Sequence, residues 1–211
     1  MLCLAGKSRF VVRVAALALA GLGLAATGGC IFDPREPETP GTGEQIDYLP
    51  QSQPQNVWAN LEKSLENNHA PGWENNISSV EFIYLVDDDT RGQFPDGTFD
   101  GWDRSRETNF INNFFTNDVT ITAQMRNDDF EIPGTSGNEV RWEGVIYDLT
   151  VTNNIDGGSV RYRASADITF RLDDTDWYIY LWDDNVGESP PEGGAQLQTM
   201  GVLRGTFGSN P

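Results

Sequence analysis

The chain has 211 residues, of which 14 are lysine or arginine and 32 are aspartate or glutamate, so its formal net charge is −18. This acidity argues against nucleic-acid binding, which needs basic side chains that neutralise phosphates, and against adsorption of the protein surface to anionic lipid headgroups. We therefore expect no nucleic-acid partner, and we interpret the acidity as a property that favours solubility.

The first thirty residues follow the order of an export signal. Three basic residues, Lys7, Arg9 and Arg13, come before an apolar stretch at residues 14–26, and the small residues Gly28 and Gly29 follow it. The apolar stretch is shorter than the roughly 20 residues that a membrane-spanning helix needs. The sequence therefore predicts that residues 1–29 are a signal peptide that is removed.

Cys30 changes the interpretation from secretion to anchoring. A cysteine directly after small residues resembles the lipobox of bacterial lipoproteins, although Thr27 stands where Leu, Val or Ile is usual. The resemblance implies that lipid on Cys30 holds the protein at a membrane of the bacterial cell envelope. Ile31 replaces the Asp that often retains such proteins in the inner membrane, which favours the outer membrane. Plain secretion with one unpaired cysteine is the alternative.

Composition separates a tether from a domain. Residues 33–43 hold three prolines, two glycines and three acidic residues, a composition that offers little to bury. We predict that residues 30–52 are the lipidated cysteine and a disordered tether. Residues 53–211 are enough for one domain.

Two helices and one strand are predicted first. The opening helix begins at Ser52, where Ser-x-x-Gln forms a capping box, and it ends before Pro71. A strand at residues 80–86 is apolar on both faces, which predicts burial on both sides. A loop rich in Gly and Asp follows at residues 87–103, and a second helix at residues 104–116 has Asp103 as its N-cap.

The rest of the chain alternates in the manner of β-strands. Strands are predicted at residues 119–125, 140–151, 160–171 and 177–182, with a bulge near Gly144 where the apolar face of the second one switches. Helices that precede a run of long antiparallel strands are typical of the α+β class.

Three segments resemble the NTF2-like superfamily, specifically its lipoprotein branch. They are residues 55–62 of the opening helix, the run Trp102-Asp103-Arg104 before the Phe-rich helix, and residues 176–183. The resemblance implies a SnoaL-like or cystatin-like cone, in which a strongly curved antiparallel sheet wraps around N-terminal helices. The interior of such a cone can be a pocket, and its outer sheet face is often a dimer surface. The short segment 69–77 departs from the family pattern and puts a closed pocket in doubt.

Five aromatic side chains are predicted to face the interior and to bind a small apolar ligand. The alternative is that they only fill the core. They are Tyr84, Trp142, Tyr162, Phe170 and Trp177.

An acid–base site is the enzymatic alternative. Asp148 is predicted to face inward, where it would pair with Tyr84 or Tyr162. His69, the one histidine, is assigned a surface position or a role in capping the C-terminal end of a helix. A calcium loop at residues 87–98 lacks the required oxygen donors, so we expect no metal and no cofactor.

The favoured function is a non-enzymatic, membrane-anchored domain that binds a small apolar ligand or a protein partner. Two alternatives stay open. One is a small-molecule lyase, isomerase or hydrolase that uses Asp148 and a tyrosine. The other is a structural envelope protein that forms a homodimer through the outer sheet face.

Overall fold

The computed structural model describes residues 45–125, 137–187 and 196–208. The predicted signal peptide, Cys30 and most of the predicted tether lie outside these residues, so they stay predictions. The described helices are α1 Pro54–Glu66, α2 Ala70–Asn75, α3 Asp88–Arg91, α4 Arg104–Phe115 and α5 Met200–Phe207. The described strands are β1 Ile83–Leu85, β2 Val119–Gln124, β3 Glu139–Asn153, β4 Ser159–Asp173 and β5 Asp176–Gly187.

The strands form an open five-stranded sheet in the order β1-β5-β4-β3-β2. The short strand β1 runs parallel to β5, and the other neighbours are antiparallel. The register of β3 on β4 shifts between Trp142 and Val145, where Gly144 has a φ of 67°. This is the predicted bulge, and the predicted α+β class is confirmed by the order of the elements.

One face of the sheet is buried and carries the core. Along β4 the buried and half-exposed residues alternate from Arg161 to Ile168, as predicted from the sequence, but Val160 is exposed and Thr169 is buried. Apolar side chains of α1 and α4 complete the core from the other side. Its fully buried large side chains include Leu61, Leu65, Trp73, Phe110, Phe114, Tyr147, Phe170 and Trp182.

The last residues of the predicted tether belong to the domain. The compact unit begins at Ile46 rather than at residue 53. The backbone N–H and C=O of Leu49 bond to the side-chain amide of Asn60, both at 2.8 Å. Gln51 accepts a backbone hydrogen bond from Trp177 at 2.7 Å. Composition predicted a tether that was too long, because these contacts use backbone atoms, which every residue type has in common.

Several predicted boundaries differ from the structure. The opening helix begins one residue later than its predicted capping box, with Gln53 at the N-cap position and no side-chain cap. Strand β1 has only three residues, and Val80 and Leu85 are exposed, so the predicted burial on both faces is wrong. Helix α5 was not predicted from the sequence. No helix in the described ranges is long and apolar enough to cross a bilayer.

Candidate functional site

The interior of the domain contains a buried carboxylate at the centre of a hydrogen-bond network. Asp184 lies on the inward face of β5, and its Oδ2 accepts a hydrogen bond from the hydroxyl of Tyr84 at 2.7 Å. Its Oδ1 accepts hydrogen bonds from the hydroxyl of Tyr147 at 3.0 Å and from Nε1 of Trp182 at 2.7 Å. Each oxygen of this carboxylate is thus occupied by at least one donor from the chain.

Burial controls the ionisation of this group. Desolvation raises the pKa of Asp184 to about 6, although the charge of Arg204 and the hydrogen bonds from Trp182, Tyr84 and Tyr147 act in the opposite direction. Burial also raises the pKa of Tyr84 and that of Tyr147 well above the ordinary value, and the charge of Asp184 adds to both shifts. Both tyrosines therefore act as neutral hydrogen-bond donors at neutral pH.

A second buried carboxylate belongs to α4 and pairs with an arginine of α5. Nε and Nη2 of Arg204 donate to the carboxylate of Glu107, with distances of 3.0 and 2.9 Å for the shorter contacts. The same carboxylate accepts hydrogen bonds from Nε1 of Trp73 at 3.2 Å and Nε1 of Trp102 at 2.8 Å. Arg204 is 0% exposed and Glu107 is 1% exposed, so this ion pair is withdrawn from water.

Aromatic rings surround the guanidinium group of Arg204. Its Cζ lies 4.1 Å from the ring centroid of Tyr84, 4.6 Å from that of Trp182 and 5.5 Å from that of Phe110. The negative face of an aromatic ring attracts a cation at such distances. We call the two carboxylates and these three rings the guanidinium cage: Glu107, Asp184, Tyr84, Trp182 and Phe110.

Local sequence explains how the helices deliver these groups. Asp103 caps α4 by accepting from the backbone N–H of Arg106 at 3.0 Å, as predicted, which places Glu107 in the first turn facing inward. Thr199 caps α5 in the same way through Gly201. A Cβ on Gly201 would lie 2.7 Å from the hydroxyl oxygen of Tyr84, so a glycine there lets α5 approach closely enough for Arg204 to reach the interior.

The predicted acid–base residue is not part of this cluster. Asp148 lies on the opposite face of β3 from the buried Tyr147, so the prediction that it faces inward is wrong. Its carboxylate is held by Nη2 of Arg161 at 2.6 Å and Nη1 of Arg163 at 2.8 Å. The hydrogen bond from Arg161, with that from Arg163, lowers the pKa of Asp148 despite its partial desolvation. The bulge at Gly144 shifts the alternation along β3, so Tyr147 rather than Asp148 faces inward.

The five aromatics predicted as a ligand site are all buried, as expected of inward-facing residues. Tyr84 belongs to the guanidinium cage. The ring centroids of Trp142 and Phe170 lie 4.5 Å apart. Tyr162 is 8% exposed and forms an isolated β-bridge with Gln198, and Trp177 is 6% exposed. The described contacts fit side chains that pack in the core, and a role for these five in ligand binding stays a prediction.

A polar cleft lies beside the interior cluster. It has a volume of about 300 Å³ and is lined by Asp87, Thr90, Gln93, Gln198 and Thr199, among others. Thr199 donates to Oδ2 of Asp87 at 3.0 Å. The next residue, Met200, donates its backbone N–H to the hydroxyl of Tyr147 at 2.9 Å. Tyr147 in turn donates to Asp184, so two hydrogen bonds connect the backbone next to the cleft with the buried carboxylate.

His69 is half-buried and its side chain caps the start of a helix, whereas a surface position or a C-terminal capping role was predicted. Its Nδ1 accepts from the backbone N–H of Gly72 at 3.1 Å, so it caps the start of α2 rather than the end of a helix. The hydroxyl of Tyr48 lies 2.8 Å from the same nitrogen. Within the described residues, no group of three or more His, Cys, Asp or Glu side chains is arranged to hold a metal ion.

Comparison with known proteins gives likeness in fold only. No family model matches the chain, and no curated protein sequence matches it. A conserved protein from Planctomyces limnophilus DSM 3776 is 11% identical over 61% of this chain and 89% of its own, with a TM-score of 0.47. A Δ5-3-ketosteroid isomerase from a Mycobacterium species is 14% identical over 61% and 88%, with a TM-score of 0.40. A protein of unknown function from Nostoc punctiforme is 15% identical over 65% and 91%, with a TM-score of 0.42, and is described as having a cystatin-like fold.

The chain itself shows an open five-stranded sheet packed on helices, and the NTF2-like cone that the sequence resemblance implies stays a prediction. Identities this low say nothing of activity, and we transfer no ligand or reaction from them. The interior network of this chain rests on its own residues.

Sequence reasoning missed Glu107, Asp184 and Arg204. Glu107 and Arg204 are charged residues on helices, where exposure is the usual expectation. One signal was present for Asp184: it follows Trp182 by two residues on the same strand, so a regular alternation places both side chains on one face. The signal for Arg204 was its position between Leu203 and Gly205 in an otherwise uncharged segment.

Proposed function

We propose that this chain is a lipid-anchored protein of the bacterial cell envelope whose domain acts without catalysis, by associating with a second copy through the outer face of its sheet. The anchor is supported by the sequence alone, through the position of Cys30 after an export signal. Self-association is supported by one observation: two arginines lie at one end of that face and two aspartates lie at the other.

The outer face is formed by half-exposed side chains at the centre of β3, β4 and β5 together with the exposed Asn185: Ile146, Asp148, Arg161, Arg163, Ser165, Asp167, Asp183 and Asn185. At one end, two guanidinium groups, those of Arg161 and Arg163, lie beside the carboxylate of Asp148. At the other end, Asp183 pairs in register with Asp167.

The acidic end is negative even after its own ion pair is counted. Nη2 of Arg141 lies 2.7 Å from Oδ2 of Asp167, which leaves Asp183 as an additional acid. Desolvation and the charge of Asp167 raise the pKa of Asp183, so the two carboxylates repel each other in the isolated chain. A cation from another molecule would relieve this repulsion.

A two-fold axis through the middle of the face places the arginine end of each copy opposite the aspartate end of the other. Ser165 lies midway between Arg163 and Asp167 on β4 and pairs in register with Ile146 of β3. An axis at Ser165 brings Arg163 of one copy opposite Asp167 and Asp183 of the other, and the reverse contact follows by symmetry. The uncharged centre of Ser165, Ile146 and Asn185 avoids burial of unpaired charge at the axis.

The described interior favours a protein partner over an apolar ligand. Around Trp58 and Trp182 the aromatic side chains contact one another, with ring centroids 5.5 Å apart. Trp142 packs between Trp58 and Phe170. The space between these rings is already filled by the chain itself, whereas the side chains of the outer face are half-exposed or exposed.

Sedimentation velocity of the chain carrying Cys30→Ser tests self-association without interference from lipid. Arg163→Glu should weaken the dimer at least tenfold, because it places like charges opposite each other. Adding Asp183→Lys to Arg163→Glu should restore association, since the two ends then exchange sign. A monomer at all concentrations for the unaltered surface would contradict the proposal.

Two control variants separate the interface from the fold. Asp148→Asn removes one ion pair of Arg163 within the chain, and it should leave the dimer intact or strengthen it. Asp96→Lys alters the net charge as Asp183→Lys does, but at an exposed loop position outside the outer face. Restoration of association when Asp96→Lys, in place of Asp183→Lys, is added to Arg163→Glu would mean that net charge, rather than this face, governs association.

The anchor has its own test. Growth with a labelled fatty acid should label the full-length chain, and Cys30→Ser should abolish the label and release the protein from membranes. Cys3→Ser is the matched control, because Cys3 lies in the predicted signal peptide. Continued membrane fractionation of the Cys30→Ser chain would contradict lipid anchoring.

A second candidate function, an acid–base lyase, isomerase or hydrolase, is favoured by one observation. Tyr84 and Tyr147 donate to Asp184, a carboxylate whose pKa is raised to about 6. A panel of enolisable ketones and hydratable alkenes would reveal such activity. Asp184→Asn should then abolish it, and Asp148→Asn should leave it unchanged. Equal turnover in the Asp184→Asn chain would exclude this site.

A further inference from the structure

We propose that the interior of the domain is a binding site for a small guanidinium compound, and that the chain's own Arg204 occupies this site in the state described here. The inference is independent of self-association through the outer face. It rests on the guanidinium cage, on the burial of Arg204 and on the close seating of α5.

The cage has the chemistry that a guanidinium ion needs. Glu107 accepts two charge-assisted hydrogen bonds in the plane of the guanidinium, from Nε and Nη2 of Arg204. Tyr84 and Trp182 present ring faces at 4.1 and 4.6 Å from its Cζ. A planar, weakly hydrated cation that stacks on rings and donates in a fork matches this arrangement, whereas a compact ammonium ion does not.

The fit of Arg204 to the cage is incomplete. Its Nη1 is buried and has no hydrogen-bond partner among the described residues. The nearest carboxylate oxygen, Oδ2 of Asp184, lies 3.9 Å away and already accepts from Tyr84. The attachment of Arg204 to its helix restricts the positions that this guanidinium can take. A free compound has no such constraint and can approach both carboxylates.

Burying these ionisable groups costs free energy, which indicates that the cluster has more than a structural role. Three ionisable groups, Glu107, Asp184 and Arg204, lie at 3% exposure or less. Apolar side chains of similar volume usually stabilise a core at least as well as a buried ion pair does. With both carboxylates ionised, the cluster carries more negative than positive charge, so the interior favours a cation.

Helix α5 delivers Arg204 and is the element that must move for the site to open. Its seating depends on Gly201 and Gly205, where an added Cβ would lie 2.7 Å from the hydroxyl of Tyr84 and 2.6 Å from the ring of Phe94. A side chain at Gly201 would therefore push the helix outward and withdraw Arg204 from the cage, with every cage residue unchanged.

Thermal unfolding of the full chain with methylguanidinium chloride tests the proposal. Arg204→Ala vacates the cage, so low-millimolar methylguanidinium should raise its Tm in a saturable way. Gly201→Ala should respond less strongly, and the unaltered chain least, because Arg204 competes within the molecule. Thr206→Ala alters the exposed side of the same helix and should behave like the unaltered chain.

Comparison of two cations tests whether the cage selects a guanidinium group rather than any cation. Methylammonium chloride at equal ionic strength should give no saturable shift, and Glu107→Gln combined with Arg204→Ala should lose the response. If Arg204→Ala does not fold, its refolding yield from urea should rise several-fold with methylguanidinium and not with methylammonium. The same response to both cations, or neither a Tm shift nor rescue of refolding, would overturn the proposal.

Discussion

Arg204 and Glu107 join the last described helix to the middle of the chain through a fully buried ion pair, with Nη2 of Arg204 2.9 Å from Oε1 of Glu107. Ninety-seven residues separate the two in sequence. Burial alone would lower the pKa of Arg204, but the charge and hydrogen bonds of Glu107 outweigh it and raise that pKa. The arginine therefore stays charged, and the pair couples α4 to α5.

Breaking this pair from one side should destabilise the domain strongly. Arg204→Met leaves Glu107 buried without its cation, and we expect a loss of roughly 3 to 5 kcal/mol in the free energy of unfolding. The double variant with Glu107→Gln should lose less than the sum of the two single variants. Urea denaturation measures all three. Additive losses would show that the two side chains do not act as a pair.

The stability of the domain should depend on pH through Asp184. Its folded-state pKa of about 6 is raised above the value of about 3.9 expected in the unfolded chain. The folded state therefore holds the proton more tightly, so this contribution is fully present below pH 4 and is lost as pH rises to about 6. The loss should approach 3 kcal/mol, on the order of two pK units.

Urea denaturation of the unaltered chain and of Asp184→Asn between acidic and neutral pH checks this expectation. The difference in unfolding free energy between the two should change in the stated direction. Asp148→Asn provides a control of opposite sign, because Arg161 lowers the pKa of Asp148 and its contribution is lost as pH falls. A constant difference for Asp184→Asn would contradict the prediction.

The bulge in β3 should require glycine. Gly144 has a φ of 67°, and an L side chain in this region costs about 1 to 2 kcal/mol. Gly144→Ala should destabilise the domain by that amount in urea denaturation. Gly92→Ala is the matched control, since Gly92 has a φ of −66° and space for a Cβ. Equal effects at the two glycines would mean that backbone strain is not the cause.

The segment before α1 should be held by Asn60. Because this side chain bonds both backbone groups of Leu49, Asn60→Ala should increase hydrogen exchange at the amide of Leu49 at least tenfold. Lys63→Ala is the control, as Lys63 contacts only the carbonyl of Asp47 in this segment. Unchanged exchange in the Asn60→Ala chain would support the longer tether, up to residue 52, that composition predicts.

Local patterns predicted most of the elements. The period-two alternation of β4 and the Asp103 cap of α4 were correct, because each depends on residues that are close in sequence. Helix α5 escaped prediction since it is short and contains two glycines, which disfavour helices in isolation. Its packing against Tyr84 and Phe94 compensates, and that contact is not visible in the sequence.

For the site, the sequence by itself determined that an inward-facing acid and tyrosine could meet in an α+β cone, but it selected Asp148. The bulge at Gly144 moves the inward alternation of β3 from residue 148 to residue 147, and the inward acid comes instead from β5, as Asp184. Tertiary structure also decided that Glu107 and Arg204 are buried. A charged side chain on a helix is expected to be solvated unless a partner meets it inside, and here that partner comes from an element 97 residues away.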